Sequence, residues 1–374
     1  MTVRRRVSFV LPSLNGGGAE RAAVQVLNGL SADKWDRSMF LFERTGPYLA
    51  DLDPSIALSA SPSPSRGERW QALRRFVKES EPHVVVAFLS FATTLSAARA
   101  AQTGARVVFN QQTPMTAFLG DADYEWRHGW RRTVFTATSR LTYSAADLIV
   151  ATSNGVAEDL TKNFGVNPDA IQVVPNPVDL DAVRARAGEA VEIDRDRDTP
   201  VIVAAGRLAD AKNYPLLIDA IAVLRRTLPA RLLILGQGEL EQSLRRHIAD
   251  RQLEGAITLL GFQRNPWKYI ARADVFALSS HYEGFGNVLI EAMAVGVPVV
   301  ATASAGTRDI IHHGVDGLLV EQHDAESLAA ALVDVLSSPD RRRAMSNEAR
   351  VAAERFAAPR VIARYDAVLE QVAA

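Results

Sequence analysis

Short apolar runs recur along the chain, each followed by a small-residue turn and a helical pattern. Val7–Leu11, Val84–Leu89, Val107–Asn110 and Leu148–Thr152 form one series. Val201–Ala205, Leu232–Leu235, Thr258–Gly261, Val275–Leu278, Val297–Ala301 and Leu318–Val320 form a second. Runs of this length without polar alternation predict strands buried on both faces, and the helical patterns between them predict parallel crossovers. The class expected is α/β, with a parallel sheet in each of two domains. Between the series, VVPNPV at Val173–Val178 carries two prolines, and 181–199 is charged and poor in apolar residues, which predicts an exposed connector. The expected division is therefore a first domain over 1–178, a linker over 179–199, a second domain over 200–356 and a terminal helical segment over 357–374. Helices are expected over 324–337, 340–356 and 359–373, while the Ser/Pro-rich segment 58–70 reads as an exposed loop.

The most informative stretch is Ala273–Thr302, which reads strand, loop, helix, strand. Gly284-Phe285-Gly286 opens the helical pattern, and Gly296 and Pro298 stop it. Glu283 lies in the loop and Glu291 eight residues later in the helix. With the helix starting near Gly286, Asn287 and Glu291 sit at i and i+4 on one face, beyond the carboxyl end of the strand. Open α/β sheets bind ligands at that end, and the exposed amides of a helix start favour an anion. A carboxylate beside an anion needs its own partner, and paired sugar hydroxyls suit it. The local chemistry therefore points to a phosphate-bearing, hydroxyl-rich ligand such as a nucleotide sugar.

Composition narrows the field. At 374 residues the chain suits two domains of similar size. A net charge of −1 leaves no basic excess with which to release counterions from a polyanion, so nucleic acid is not an expected partner. With no cysteine there is no disulfide framework, thiolate nucleophile or Cys-ligated metal. The start, MTVRRRVSFVLPSL, is basic, but its apolar run is broken by Ser8 and Pro12, so it reads as a buried first strand rather than a signal peptide. No apolar stretch approaches the roughly 20 residues of a membrane span, and a cytoplasmic protein is expected.

EGFGNVLIEAM, with its two glutamates eight residues apart, resembles the signature of the retaining glycosyltransferases of family 4. The resemblance implies the GT-B fold, two Rossmann-like domains facing each other across a cleft. It also implies transfer of a sugar from a nucleotide diphosphate donor. A departing nucleoside diphosphate develops roughly three negative charges, which a metal or fixed protein charges must stabilise. In GRLADAKN, Arg207 and Lys212 supply two cations from one loop, and a helix start near Gly286 adds about half a charge. That comes close to balancing the group, so no metal or other cofactor is expected. By resemblance, Arg207 and Lys212 contact the diphosphate, helped by the amides near Asn287 and Val288. Glu283 then grips hydroxyls of the transferred sugar and Glu291 those of the ribose. The catalytic set is Arg207, Lys212 and Glu283. Phe262, Gly284, Phe285 and Gly286 complete the donor side, together with Gly17 and Gly18 of the glycine-rich loop Asn15–Glu20. Retention is expected to proceed on one face through an oxocarbenium-like state, the leaving phosphate taking the acceptor's proton.

The acceptor side is less specific. Gly16 belongs to the same glycine loop, which in the family faces donor phosphates and acceptor. The family often carries a histidine after the strand that ends near Asn110. Here the residues are Asn110-Gln111-Gln112-Thr113, and Gln111 or Gln112 is the candidate to supply a hydrogen bond instead. The segment 124–143 combines two tryptophans with several arginines, among them Arg127, Arg131 and Arg132, and suits either a saccharide or an anionic membrane surface. Asn265–Tyr269 is similar to bacterial enzymes that build surface glycans on lipid-linked carriers. The expected donor is thus a UDP-linked N-acetylhexosamine or hexose, with GDP-mannose the other candidate, and the expected place of work is the inner face of the cytoplasmic membrane. DxD triplets occur at Asp51–Asp53, Asp121–Asp123, Asp179–Asp181 and within 194–198, none at the end of a predicted strand. His312-His313 precedes a glycine turn without a third ligand nearby in sequence. Two other classes fit the same motif: a nucleotide-sugar epimerase of this fold, or a nucleotide-sugar-binding protein without turnover.

Overall fold

The computed structural model describes residues 4–15, 17–120, 129–193, 199–321 and 324–374. The chain divides into two units: Met1–Pro177 with Ala358–Ala374, and Val178–Ala357.

The first unit contains β1 (Arg5–Leu11), β2 (Trp35–Leu41), β3 (Ala57–Ala60), β4 (Val84–Phe88), β5 (Arg106–Gln111), β6 (Leu148–Ala151) and β7 (Ile171–Val173). They form one sheet in the order β3-β2-β1-β4-β5-β6-β7, and every pair is parallel. Both faces are covered. Val7, Phe9 and Leu11 point to a core shared with the helices Gly18–Gly29 and Ala358–Ala373. Val10, Val85, Ala87, Val107 and Phe109 point to one shared with Arg66–Ser80, Phe91–Ala101 and Asn154–Phe164. The terminal helix is tied down by Tyr365, whose hydroxyl accepts from Asn110 Nδ2 at 2.8 Å, and by Asp366, which accepts from Trp35 Nε1 at 2.6 Å. Burial pushes the Tyr365 phenol well above its ordinary pKa of 10.0, so it stays a neutral partner for Asn110.

The second unit contains β8 (Val201–Ala205), β9 (Arg231–Leu235), β10 (Ile257–Leu259), β11 (Val275–Leu278), β12 (Val299–Thr302) and β13 (Gly317–Val320). Their order is β10-β9-β8-β11-β12-β13, again all parallel. Ile202, Leu232, Ile234 and Val300 face one core; Val203, Leu233, Phe276 and Val299 face the other. In each sheet the strand order reverses once, between β1 and β4 and between β8 and β11. Those two crevices are where a doubly wound sheet takes its ligand. The ends of the second unit meet: Val178 and Ala357 pair in an isolated parallel bridge, and the Val178 amide donates to Phe356 O at 3.0 Å.

Three expectations require correction. The connector expected over 179–199 contains the helix Leu180–Ala187, whose Leu180, Val183 and Ala187 are buried in the second core. Its carbonyl end is held by Asn265 Nδ2 on Arg186 O (2.8 Å) and by Arg272 on Ala187 O (3.1 Å) and Glu189 O (3.0 Å). The loop expected over 58–70 is an edge strand through Ala60 and a helix from Arg66, leaving only 61–65 irregular. The sequence reading also omitted β2, whose buried part is confined to Met39–Leu41 beyond Trp35. The helix expected from Gly286 runs Asn287–Ala294, and the three late helices run Ala325–Leu336, Pro339–Ala353 and Ala358–Ala373.

Candidate functional site

The second unit brings its predicted residues together at the β8/β11 crevice. The loop after β8 carries Arg207 and Lys212, and the loop after β11 carries Glu283 and leads into the helix Asn287–Ala294. Hydrogen bonds stitch the two loops: Ser279 Oγ donates to Lys212 O at 2.9 Å and the His281 amide to Ala211 O at 2.9 Å. Lys212 Nζ and Glu283 Oε1 form an ion pair, and Ser280 Oγ donates to the same carboxylate oxygen at 2.7 Å. Ser280 is in turn held through its carbonyl by Thr302 Oγ1 at 2.7 Å, on β12. Both charges of the pair are largely shielded, whereas Arg207 is exposed.

Backbone packing sets the height of the Arg207 loop. The Leu208 amide donates to Gln237 O at 3.0 Å and the Leu240 amide to Leu208 O at 3.0 Å. Gly236 has φ +148°, and a Cβ there would collide with the Gly206 carbonyl oxygen, so only glycine lets the two loops touch. Below them, Tyr214 donates its hydroxyl to Gly206 O at 3.1 Å. Burial, and then the nearby Glu283 charge, push this phenol far above its ordinary pKa of 10.0, so it remains a donor at every physiological pH.

Gly286 precedes the helix with φ +99°, a conformation glycine adopts without strain, and as the N-cap residue it brings no side chain to the first turn. The amides of Asn287 and Val288 open that turn, on the side of the Glu283 loop. Glu291, one turn on, is 5% exposed and accepts from Trp267 Nε1 at 2.8 Å through Oε2. Gly284 and Phe285 contribute backbone here, because the Phe285 ring is buried edge-on against Phe356, 5.4 Å between centroids. Phe262, by contrast, is 63% exposed just after β10. Gly17 stands immediately before the helix Gly18–Gly29, in the turn that follows β1 at the crevice of the first sheet.

Gln111 and Gln112 are buried and committed within the first unit. Gln111 Nε2 donates to Thr113 O at 2.5 Å, and its Oε1 accepts from the Tyr143 hydroxyl at 2.7 Å. Gln112 forms a reciprocal amide pair with Asn176, at 3.0 and 2.8 Å, and also donates to Asn110 Oδ1. Gly16 and Arg127 lie outside the described residues. Arg131 is exposed on the helix Gly129–Ser144, with its guanidinium 5.9 Å from the Trp130 ring centroid. Trp130, Val134 and Leu141 are exposed along one stripe of that helix, Trp130 at 72% and Leu141 at 74%. Among the described residues no group of three His, Cys, Asp or Glu side chains is placed to hold a metal ion, and no helix is long and apolar enough to cross a membrane. His312 is instead bonded to the buried Asp316 at 2.9 Å within its turn.

Two residues of the site escape the sequence reading: Ser280, which orients Glu283, and Trp267, which bonds Glu291. The first shows only as a Ser three residues before a Glu. The second follows Pro266 in a four-residue helix that no periodicity marks.

Two parallel sheets, each covered by helices on both faces, with a cation-bearing loop and two glutamates, one in a loop and one in the helix after it, at one crevice, define a GT-B protein. The family profiles agree: residues 189–352 match "Glycosyl transferases group 1" and residues 16–182 match "Glycosyltransferase Family 4". The chain belongs to glycosyltransferase family 4. Among curated relatives it is 38% identical over 217 residues to the N-acetylgalactosamine-N,N'-diacetylbacillosaminyl-diphospho-undecaprenol 4-alpha-N-acetylgalactosaminyltransferase of Campylobacter jejuni, with 58% of each chain covered. It is 32% identical over 200 residues to the lipopolysaccharide core biosynthesis glycosyltransferase LpsE of Rhizobium meliloti, covering 53% of this chain and 57% of that one. The matches thus span a little over half the length of these relatives. Among solved structures, HepE of Anabaena with UDP and glucose aligns at a TM-score of 0.79 and 20% identity, over 98% of this chain and 100% of that one. WaaG, a glycosyltransferase of lipopolysaccharide biosynthesis, aligns at 0.76 and 18%, over 97% and 99%. At these identities the structural likeness speaks to the fold.

Proposed function

We propose that this chain is a retaining glycosyltransferase that moves an N-acetylhexosamine or hexose from a nucleotide diphosphate donor to a glycan or lipid-linked saccharide in the synthesis of a bacterial surface glycan. UDP is the preferred nucleotide. The observation that carries the reading is the Lys212–Glu283 pair, held between the two loops of the β8/β11 crevice beside the helix start at Gly286. Arg207 and Lys212 neutralise the leaving diphosphate, with the amides of Asn287 and Val288 adding the helix's partial charge. Glu283 then takes the sugar hydroxyls and Glu291 the ribose hydroxyls. Both orient the donor, and neither is a covalent nucleophile. With charge supplied by the protein, the leaving phosphate accepts the acceptor's proton, the reaction keeps to one face, and no metal is needed.

The Campylobacter relative is named for transfer of N-acetylgalactosamine to a diphospho-undecaprenol-linked saccharide, and that name supports a lipid-linked acceptor. The exposed stripe of Trp130, Val134 and Leu141 beside Arg131 and Arg132 supports peripheral contact with an anionic membrane, and with it work at the inner face of the cytoplasmic membrane.

The test is a thermal-shift screen of UDP-N-acetylhexosamines, UDP-hexoses and GDP-mannose, because a true donor stabilises only the folded chain. It is followed by transfer assays with and without EDTA. One donor should raise the melting temperature, transfer should survive chelation, and the product should keep the donor's anomeric configuration by NMR. Lack of stabilisation by every nucleotide sugar would sink the reading, and transfer abolished by EDTA would replace it with a metal-dependent scheme.

A further inference from the structure

We infer that Trp267 is a positioning residue for the donor's ribose, acting through Glu291, and that the helix Leu180–Ala187 holds it in place. This rests on the reading of Glu291 as the ribose-binding carboxylate.

Glu291 is a nearly buried carboxylate, and a charge at that depth needs a hydrogen-bond donor. A donor the structure gives it is an indole N–H: Trp267 Nε1 lies 2.8 Å from Oε2. The choice has a chemical consequence. A bidentate guanidinium would occupy both oxygens of the carboxylate, whereas an indole has a single N–H and takes one of about four acceptor sites. The indole bond therefore fixes the orientation of the carboxylate while consuming a single acceptor site and adding no counter-charge of its own.

The indole has a fixed seat. Trp267 is 5% exposed, and the Arg186 guanidinium stacks over its ring at 4.8 Å from the centroid. Arg186 is anchored by Nη2 on Arg264 O at 3.0 Å, and its own carbonyl accepts from Asn265 Nδ2 at 2.8 Å. The two residues that precede Pro266 are thus both bonded to Arg186, which clamps the short turn from which the indole projects. The stacked cation also places positive potential behind the N–H, strengthening it as a donor to the carboxylate. Arg186 lies in the helix Leu180–Ala187, so the segment that reads as a linker carries part of the nucleotide site.

The inference is tested by calorimetric titration of the wild-type chain, Trp267→Phe, Arg186→Ala and Glu291→Gln with UDP and with 2′,3′-dideoxy-UDP, which lacks the hydroxyls in question. If the wild-type chain takes GDP instead, GDP and its dideoxy form are used. Trp267→Phe keeps an aromatic side chain and removes the N–H. It should weaken UDP binding about tenfold, the scale of one hydrogen bond to a charged partner, and leave dideoxy-UDP unchanged. Glu291→Gln should do the same by a larger factor. Arg186→Ala, on the surface, should give a smaller loss confined to UDP, and it decides the matter should Trp267→Phe not fold. Equal losses on both ligands, or no loss on either, for Trp267→Phe and Arg186→Ala overturn the inference. If Glu291→Gln still separates the two ligands, the ribose reading survives that failure. If Glu291→Gln also treats the two nucleotides alike, the ribose reading falls with it.

Discussion

The ammonium of Lys212 and the carboxylate of Glu283 are partners across two loops that follow different strands, 71 residues apart in the chain. The pair fixes the spacing of the loops before any ligand arrives. It also keeps each charge compensated in a partly desolvated place, where an isolated charge would be costly. Lys212→Ala should therefore act twice. Transfer measured as kcat/KM should fall at least about tenfold, or ~1.4 kcal/mol, and the carboxylate left behind should lower stability by about 1–3 kcal/mol in urea titrations. Glu283→Gln should spare nucleotide affinity while reducing kcat; unchanged turnover in either variant would remove the pair from the chemistry.

Gln112 offers a clean separation of structure from catalysis. Its amide is bonded to Asn110 and Asn176 in a buried network, so Gln112→Met leaves Asn176 without its reciprocal partner. The expected cost is about 1–3 kcal/mol of stability for the stranded amide, with KM for a nucleotide sugar unchanged. A variant that keeps its melting temperature but loses transfer would instead return Gln112 to the acceptor side.

Membrane contact is checked by sedimentation with vesicles. The wild-type chain should partition with phosphatidylglycerol-rich vesicles more than with neutral ones, and added salt should weaken the binding. Trp130→Ser with Leu141→Ser should release it without altering nucleotide affinity. Partitioning that ignores both lipid charge and this double substitution would retire the idea.

A histidine sets a pH dependence in the first unit. His83 Nδ1 accepts the Arg6 amide at 3.0 Å, and partial burial, with Arg6 and Arg5 nearby, lowers its pKa below the ordinary 6.5. The folded state thus favours the neutral ring. The stability this gives is fully present above 6.5 and is lost as pH falls through that value towards the folded pKa. Melting temperature should drop between about pH 8 and about pH 5. His83→Asn, which retains an acceptor but does not titrate there, should flatten part of that drop; an identical profile would assign the dependence to other groups.

The legible parts of the chain are those where local pattern and global fold agree. β8, β11 and the helix from Asn287 announce themselves because a buried parallel strand is uninterruptedly apolar and a glycine marks the turn that follows. β2 is hidden by Asp36 and Arg37 in its first half, and β3 by its four-residue length at the sheet edge. The helix Leu180–Ala187 buries only Leu180, Val183 and Ala187, a stripe that its aspartate and arginines obscure. At the site, Arg207, Lys212, Glu283 and Glu291 are visible as motif residues, but their partners are not. The Trp267–Glu291 bond joins residues 24 apart in different elements, and no spacing rule reports such a contact.

The bridge between Val178 and Ala357 makes the second unit an insertion with a single doorway. Its backbone is one uninterrupted segment, so it can be excised from 178 to 357 without cutting a strand, and its six parallel strands all travel with it. On the proposed donor assignment, a trade of such cassettes between chains would change the donor while leaving the seven-stranded host and its terminal helix intact, provided the cut is made at 178. A cut at residue 200 would strip away the helix that seats Trp267.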